Sequence, residues 1–187
     1  EKWDAAAKGL SEAKTAEERA AAMELRRQAL QDKLNDIADD EHPVGVVTYD
    51  NVMDQLKQDG VDADTIAEVR DGLELDNPNR DTNRAFFLPF DGQGIYIVAD
   101  DIPSLEDGVS AYVHERQHGI TMAGALGERL VSTPGFDRKV IWEAMKKWNA
   151  GRWYEQKDDI SLADEFLSMA MDLAYKCDTP DVFEQEL

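Results

Sequence analysis

Only one cysteine occurs in the 187 residues, Cys177, so no disulfide can form within the chain, and its composition suits a reducing compartment. Cys177 stands late in an apolar, helical stretch and reads as a buried structural thiol, with a metal ligand or nucleophile as the alternative. Long apolar runs are missing as well. No segment approaches the ~18 consecutive apolar residues of a membrane-spanning helix, and no signal peptide is visible. Basic residues are scarce, with 20 Lys and Arg against 40 Asp and Glu for a net charge of −20. Phosphate contacts need clustered Lys and Arg, so no direct nucleic-acid binding is expected, and the same charge disfavours docking on anionic membranes. The acidic surface reads as a solvated one; attraction of a cation or a basic partner is the functional alternative. The chain starts at Glu1 rather than Met, as expected for a piece of a larger multidomain polypeptide.

Histidine is also rare, and here the scarcity is informative. Two of the three histidines stand four residues apart in His114-Glu115-Arg116-Gln117-His118, an H-E-x-x-H motif. On an α-helix, residues i and i+4 lie one above the other on the same face, so both imidazoles can grip one metal ion. Glu115, turned about 100° round the helix, sits at the rim beside the ion's water. This is the layout of a zinc-dependent hydrolase; the bland alternative is a surface helix with solvated histidines. The flanks suit an active-site helix. Ser104 with Asp107 resembles a capping box, Val109, Val113 and Ile120 are apolar, and Ala111, Ala123, Gly124 and Ala125 are small. A helix this apolar around a charged motif is expected to be buried, and its polar groups then require partners.

Elsewhere the pattern is mixed. Residues 1–40 are rich in Ala, Glu and Lys and read as one long, mostly solvated helix. Thr15 and Glu18 form a capping box in it, and Met23, Leu30, Leu34 and Ile37 form an apolar stripe. His42-Pro43 marks a break, and residues 44–49 form a short β-branched strand. Asp50 is expected to cap a helix over 51–58 that ends at Gly60, and Asp62 or Asp64 to open another reaching about residue 73. Residues 77–83 read as a loop. Residues 85–90 and 94–99 flank Asp91-Gly92-Gln93 as a β-hairpin. After the motif helix, Thr133-Pro134-Gly135 makes a turn. Asp137 then caps a helix over 138–150 with Gly151 past its end, and Ser161 with Asp164 caps a last helix to about residue 176. The order predicts an α+β domain over 41–187, with a small, mostly antiparallel sheet packed on the H-E-x-x-H helix and residues 1–40 as a helical lead-in.

The stretch FFLPFDGQGIYIVADDIPSLEDGVSAYVHERQHGI resembles the hairpin and active helix of zincin-like metallopeptidase domains in the large polyvalent proteins of phages and mobile elements. The resemblance covers roughly residues 84–120, with a looser fit over 44–58 and 161–175. Gly119 follows the common pattern. Gln117 departs from it, standing where many relatives have a small residue, and this bears on substrate access. The resemblance implies a zincin-like fold in which strand 95–98 borders the cleft and can pair with an extended substrate backbone. It also implies a peptide or protein substrate, Zn2+ as cofactor, and residence in the cytoplasm of a bacterial host.

A catalytic zinc needs three protein ligands plus water. His42, beside Pro43, reads as a loop residue, with a ligand role as the alternative. Zincins of the gluzincin type take a Glu from a downstream helix, which makes Glu165 the candidate. It is flanked by Leu162, Phe166, Met169 and Leu173, and its bland reading is an acid at a helix start. Asp164 is the next candidate, though a capping box would occupy it; Glu143 and Glu128 have less support. The implied mechanism has the ion acidify its water and polarise the scissile carbonyl, while Glu115 takes the water's proton and delivers it to the leaving amine. Tyr154, Tyr112, Tyr175, His42 and Arg152 are open as the group that steadies the oxyanion. Trp142, Trp148, Trp153 and Tyr154 read as core packing or, more sharply, as a cleft wall. The expected function is therefore a zinc metallopeptidase. One competing reading is a catalytically silent zincin-fold interaction module of a larger protein. Another is an acidic helical adaptor with an accidental motif.

Overall fold

The computed structural model describes residues 1–75, 85–88, 94–147 and 158–176. The chain forms two compact units, Glu1–Tyr112 and Val113–Leu187.

The first unit opens with two helices, α1 (Lys2–Glu12) and α2 (Ala16–Asn35), where the sequence suggested one. The break lies at the capping box itself. Thr15 Oγ1 accepts from Glu18 N, and the Glu18 carboxylate accepts from the backbone N–H groups of Lys14 and Thr15. A side chain that satisfies N–H groups at a helix start also ends whatever precedes it. Leu30 and Leu34 are fully buried, whereas Ile37, beyond the helix end, is exposed. α2 is also bonded to the first strand, β1 (Val44–Val47). Gln31 accepts from Val46 N (2.8 Å) and donates to the Val44 carbonyl (3.0 Å), which satisfies the outer edge of that strand.

Beyond β1 come α3 (Val52–Gln58), α4 (Ala63–Gly72), β2 (Ala85–Leu88) and β3 (Gly94–Val98). The N-cap of α3 is Asn51, not Asp50; the Asn51 side chain accepts from Thr48 N at 2.7 Å and so closes the turn that leads into the helix. Asp62 caps α4 as expected, accepting from Asp64 N and Thr65 N. The sheet order is β1-β3-β2, with β1 parallel and β2 antiparallel to β3. The sheet is therefore mixed rather than mostly antiparallel. Because β3 is the central strand, both of its hydrogen-bonding edges are already used, and it cannot pair with a substrate backbone as the resemblance implied. Its central place also explains why Ile95 to Val98 is apolar without alternation: all four residues are buried. Val47, Val52, Leu56, Leu73, Leu88, Tyr96 and Val98 form one buried cluster of this unit.

A short 3-10 turn (Ala99–Asp101) leads to α5 (Leu105–Ala123), the motif helix. Ser104 caps it, with Asp107 N donating to Ser104 Oγ at 3.0 Å. A Cβ on Gly108 would stand 2.4 Å from Leu30 Cδ1, so any larger residue here would force the Leu30 side chain to shift.

In the second unit, α5 ends at Ala123, and Ala125 adopts a left-handed conformation (φ 47°) that starts the separate α6 (Leu126–Val131). Thr133-Pro134-Gly135 forms the expected turn, with Gly135 at φ 96°. Asp137 opens α7 (Arg138–Lys147), accepting from Lys139 N at 2.8 Å. The last described helix is α8 (Asp159–Lys176). Ile141, Met145 and Leu162 form the core here, with Leu130, Phe136, Trp142, Phe166 and Met169 packed on it. Trp142 is thus a packing residue. The hairpin turn at 91–93, the loop at 77–83, Gly151, Arg152, Trp148, Trp153, Tyr154 and Cys177 lie outside the described residues.

Candidate metal centre

His114 and His118 are one helical turn apart on α5, and their rings meet edge to face with centroids 4.9 Å apart. Their Nε2 atoms approach to 3.2 Å. Two ring lone pairs at that distance repel unless a proton or a cation lies between them. Glu165, on α8, places Oε2 3.7 Å from His114 Nε2 and 3.8 Å from His118 Nε2. A tetrahedral ion with ligands at about 2.0–2.2 Å sets its donors about 3.3–3.6 Å apart. The three separations, 3.2, 3.7 and 3.8 Å, bracket that range, so the donor set fits a four-coordinate ion of zinc's size.

Glu115 is buried (9% exposed), and its ligating atom lies within 4.8 Å of those of both histidines. Burial is the main cause that pushes its pKa up to about 7; His118 opposes this, and Glu165 and Asp164 add to it. The histidines diverge. Burial, and then His118, hold His114 below the ordinary imidazole value, against the pull of Glu165, Asp172 and Asp164. Burial also acts to lower His118, but the hydrogen bond to Asp164 and the charges of Glu115, Glu165 and Asp164 outweigh it and raise that ring. Acidic groups thus gather around two partly buried imidazoles, a field that favours a cation.

Asp164 occupies a place that the sequence did not assign. Its Oδ2 lies 2.8 Å from His118 Nδ1, and its Oδ1 accepts from Thr121 Oγ1. Ser168 Oγ is a longer neighbour of the same ring nitrogen, at 3.2 Å. The expected capping box of Ser161 and Asp164 is not formed. The helix starts earlier, and Asp158 caps it by accepting from Ser161 N (2.9 Å) and Ser161 Oγ (2.8 Å). Asp158 and Ser161 are both cap-type residues three apart, so composition alone does not choose between them. With Asp158 as cap, Asp164 faces the motif helix. Gly127 permits this placement of α8: a Cβ there would come within 3.0 Å of the Ile160 carbonyl and 3.5 Å of Asp164 N.

His42 is held by Asp39, with Nδ1 2.9 Å from Oδ1, and belongs to the first unit. Glu143 is exposed and accepts from Lys146 at 2.8 Å, and Glu128 is exposed. Tyr112 is buried with its hydroxyl 3.3 Å from the His42 carbonyl, and Tyr175 is 55% exposed. Gln117 is buried at 8% exposure. No family model, curated protein or solved structure matches this chain.

Proposed function

We propose that the chain is a zinc-dependent peptidase of the gluzincin type, with His114, His118 and Glu165 as metal ligands and Glu115 as general base. The observation that carries this reading is the convergence of two imidazoles and a carboxylate, from two helices, on one point of suitable size. Buried beside them stands a second carboxyl, that of Glu115, which the ligand set does not need. When bound there, zinc would supply Lewis acidity and a water acidified towards neutrality. Glu115 accepts the proton of the attacking water and passes it to the leaving amine; burial, which raises its pKa, suits a carboxyl that must both take and return a proton. The two imidazoles and Glu165 remain fixed by helix packing while this occurs. The reading extends the resemblance of residues 84–120 to zincin-like domains of polyvalent proteins, whose substrates are peptides or proteins.

The test is cleavage of a mixed peptide library at neutral pH by wild type and Glu115→Gln, matched for zinc. The substitution is nearly isosteric and removes no ligand. A loss of about 10²–10⁴ in rate with the metal retained is the expected result. Equal cleavage by both proteins would rule out Glu115 as the base. Absence of cleavage by fully zinc-loaded wild type would favour the silent interaction module.

A further inference from the structure

We propose that Asp164 is a positioning residue for the metal centre: its carboxylate, tied to Thr121, holds the His118 ring with a proton on Nδ1 and directs the Nε2 lone pair at the donor triangle. The inference rests on the reading of the centre as a zinc site.

An ionised carboxylate can only accept hydrogen bonds, so at 2.8 Å the His118 Nδ1 must carry the proton. A neutral imidazole protonated at Nδ1 has its lone pair on Nε2, the atom that faces His114 Nε2 and Glu165 Oε2. Thr121 makes the arrangement rigid. It is 1% exposed, and its single hydroxyl proton is donated to Asp164 Oδ1, with the His118 carbonyl, 3.0 Å away, as the competing acceptor. The carboxylate is therefore held at one oxygen by the helix whose ring it orients with the other. Ser168 Oγ, fully buried and 3.2 Å from Nδ1, can share that proton as a second acceptor. Capping does not account for Asp164, because Asp158 already caps α8. Asp164 and Glu165 are consecutive, so one turn of α8 delivers both the orienting carboxylate and the third donor. Outer partners of this kind typically contribute about 10–100-fold to metal affinity.

The experiment has two readouts on the full chain. The first is the His118 tautomer in metal-free protein, read from long-range ¹H–¹⁵N correlations at mildly alkaline pH, where the rings are neutral. The second is zinc affinity by competition with a chromophoric chelator. Wild type should show Nδ1–H at His118. Asp164→Ala should lose that preference and weaken zinc by about tenfold or more. Asp164→Asn, which keeps an acceptor oxygen, should restore the tautomer and part of the affinity. An Nε2–H tautomer in wild type overturns the proposal, as does a loss of affinity below about threefold in Asp164→Ala. If Asp164→Ala does not fold, the wild-type tautomer and the Asn variant decide. A wild type that binds no zinc at all refutes the hydrolase reading instead, and the tautomer result stands apart from it.

Discussion

A carboxylate that donates to an ion and one that orients a ligand respond differently to the same truncation. Glu165→Ala would remove one of three donors, and two imidazoles hold zinc poorly against water and buffer. Its loss of zinc affinity should exceed the roughly 10–100-fold expected for an outer partner such as Asp164. Chelator competition on the two alanine variants checks the ranking, and wild-type affinity in Glu165→Ala would show that another residue completes the centre. At this scale the sequence was partly legible. His114, Glu115 and His118 are fixed by spacing alone, because an i,i+4 pair shares a helix face whatever surrounds it. The closeness of Glu165 to both rings depends on how α8 packs, and the resemblance to gluzincins, not the local pattern, suggested it. Asp164 was assigned to a cap because it stands three residues after a serine. A visible counter-signal was Asp158, an equally good cap three residues earlier.

Elements place these residues, and Gly127 lets α6 lie close to α8. A methyl group on Gly127 would press on the Ile160 carbonyl of α8, 3.0 Å away. Gly127→Ala should therefore destabilise the second unit by about 1–3 kcal/mol, the usual cost of overpacking a tight contact. Chemical denaturation read by tryptophan fluorescence measures it, and an unchanged midpoint would mean that α6 shifts freely. At the opposite end of the motif helix, Ser104→Ala removes a cap and should cost about 1 kcal/mol. Helices with caps and strands beside short turns were legible because their signals are local. The parallel pairing of β1 with β3 was not, since it joins residues about fifty positions apart with no turn to announce it. Strand 95–98 gave a clue in its unbroken apolar run, which suits a central strand covered on both faces and not an edge open to substrate. The division of residues 1–40 into α1 and α2 was likewise present in the sequence, as a capping box read inside a single helix when it marks the start of a second.

For the whole molecule, the two compact units bear on what zinc binding would protect. All the proposed ligands, with Asp164, Thr121 and Ser168, belong to the second unit. Zinc binding to the folded state alone stabilises it by about 2.7 kcal/mol at a free concentration 100 times Kd. That gain should appear as slower amide exchange in the second half of α5 and in α8, with little change in β1 to β3. Uniform protection across both units would contradict a local centre. The net charge of −20 adds a non-specific attraction for cations, so calcium or magnesium at equal ionic strength is the proper control. The central claim is that these side chains bind a catalytic ion, and elemental analysis of protein purified without added metal tests it most directly. The account predicts one zinc per chain in wild type and in Glu115→Gln, and its loss on dialysis from His114→Ala and His118→Ala. Wild-type protein without zinc, or either histidine variant with stoichiometric zinc after dialysis, would contradict it.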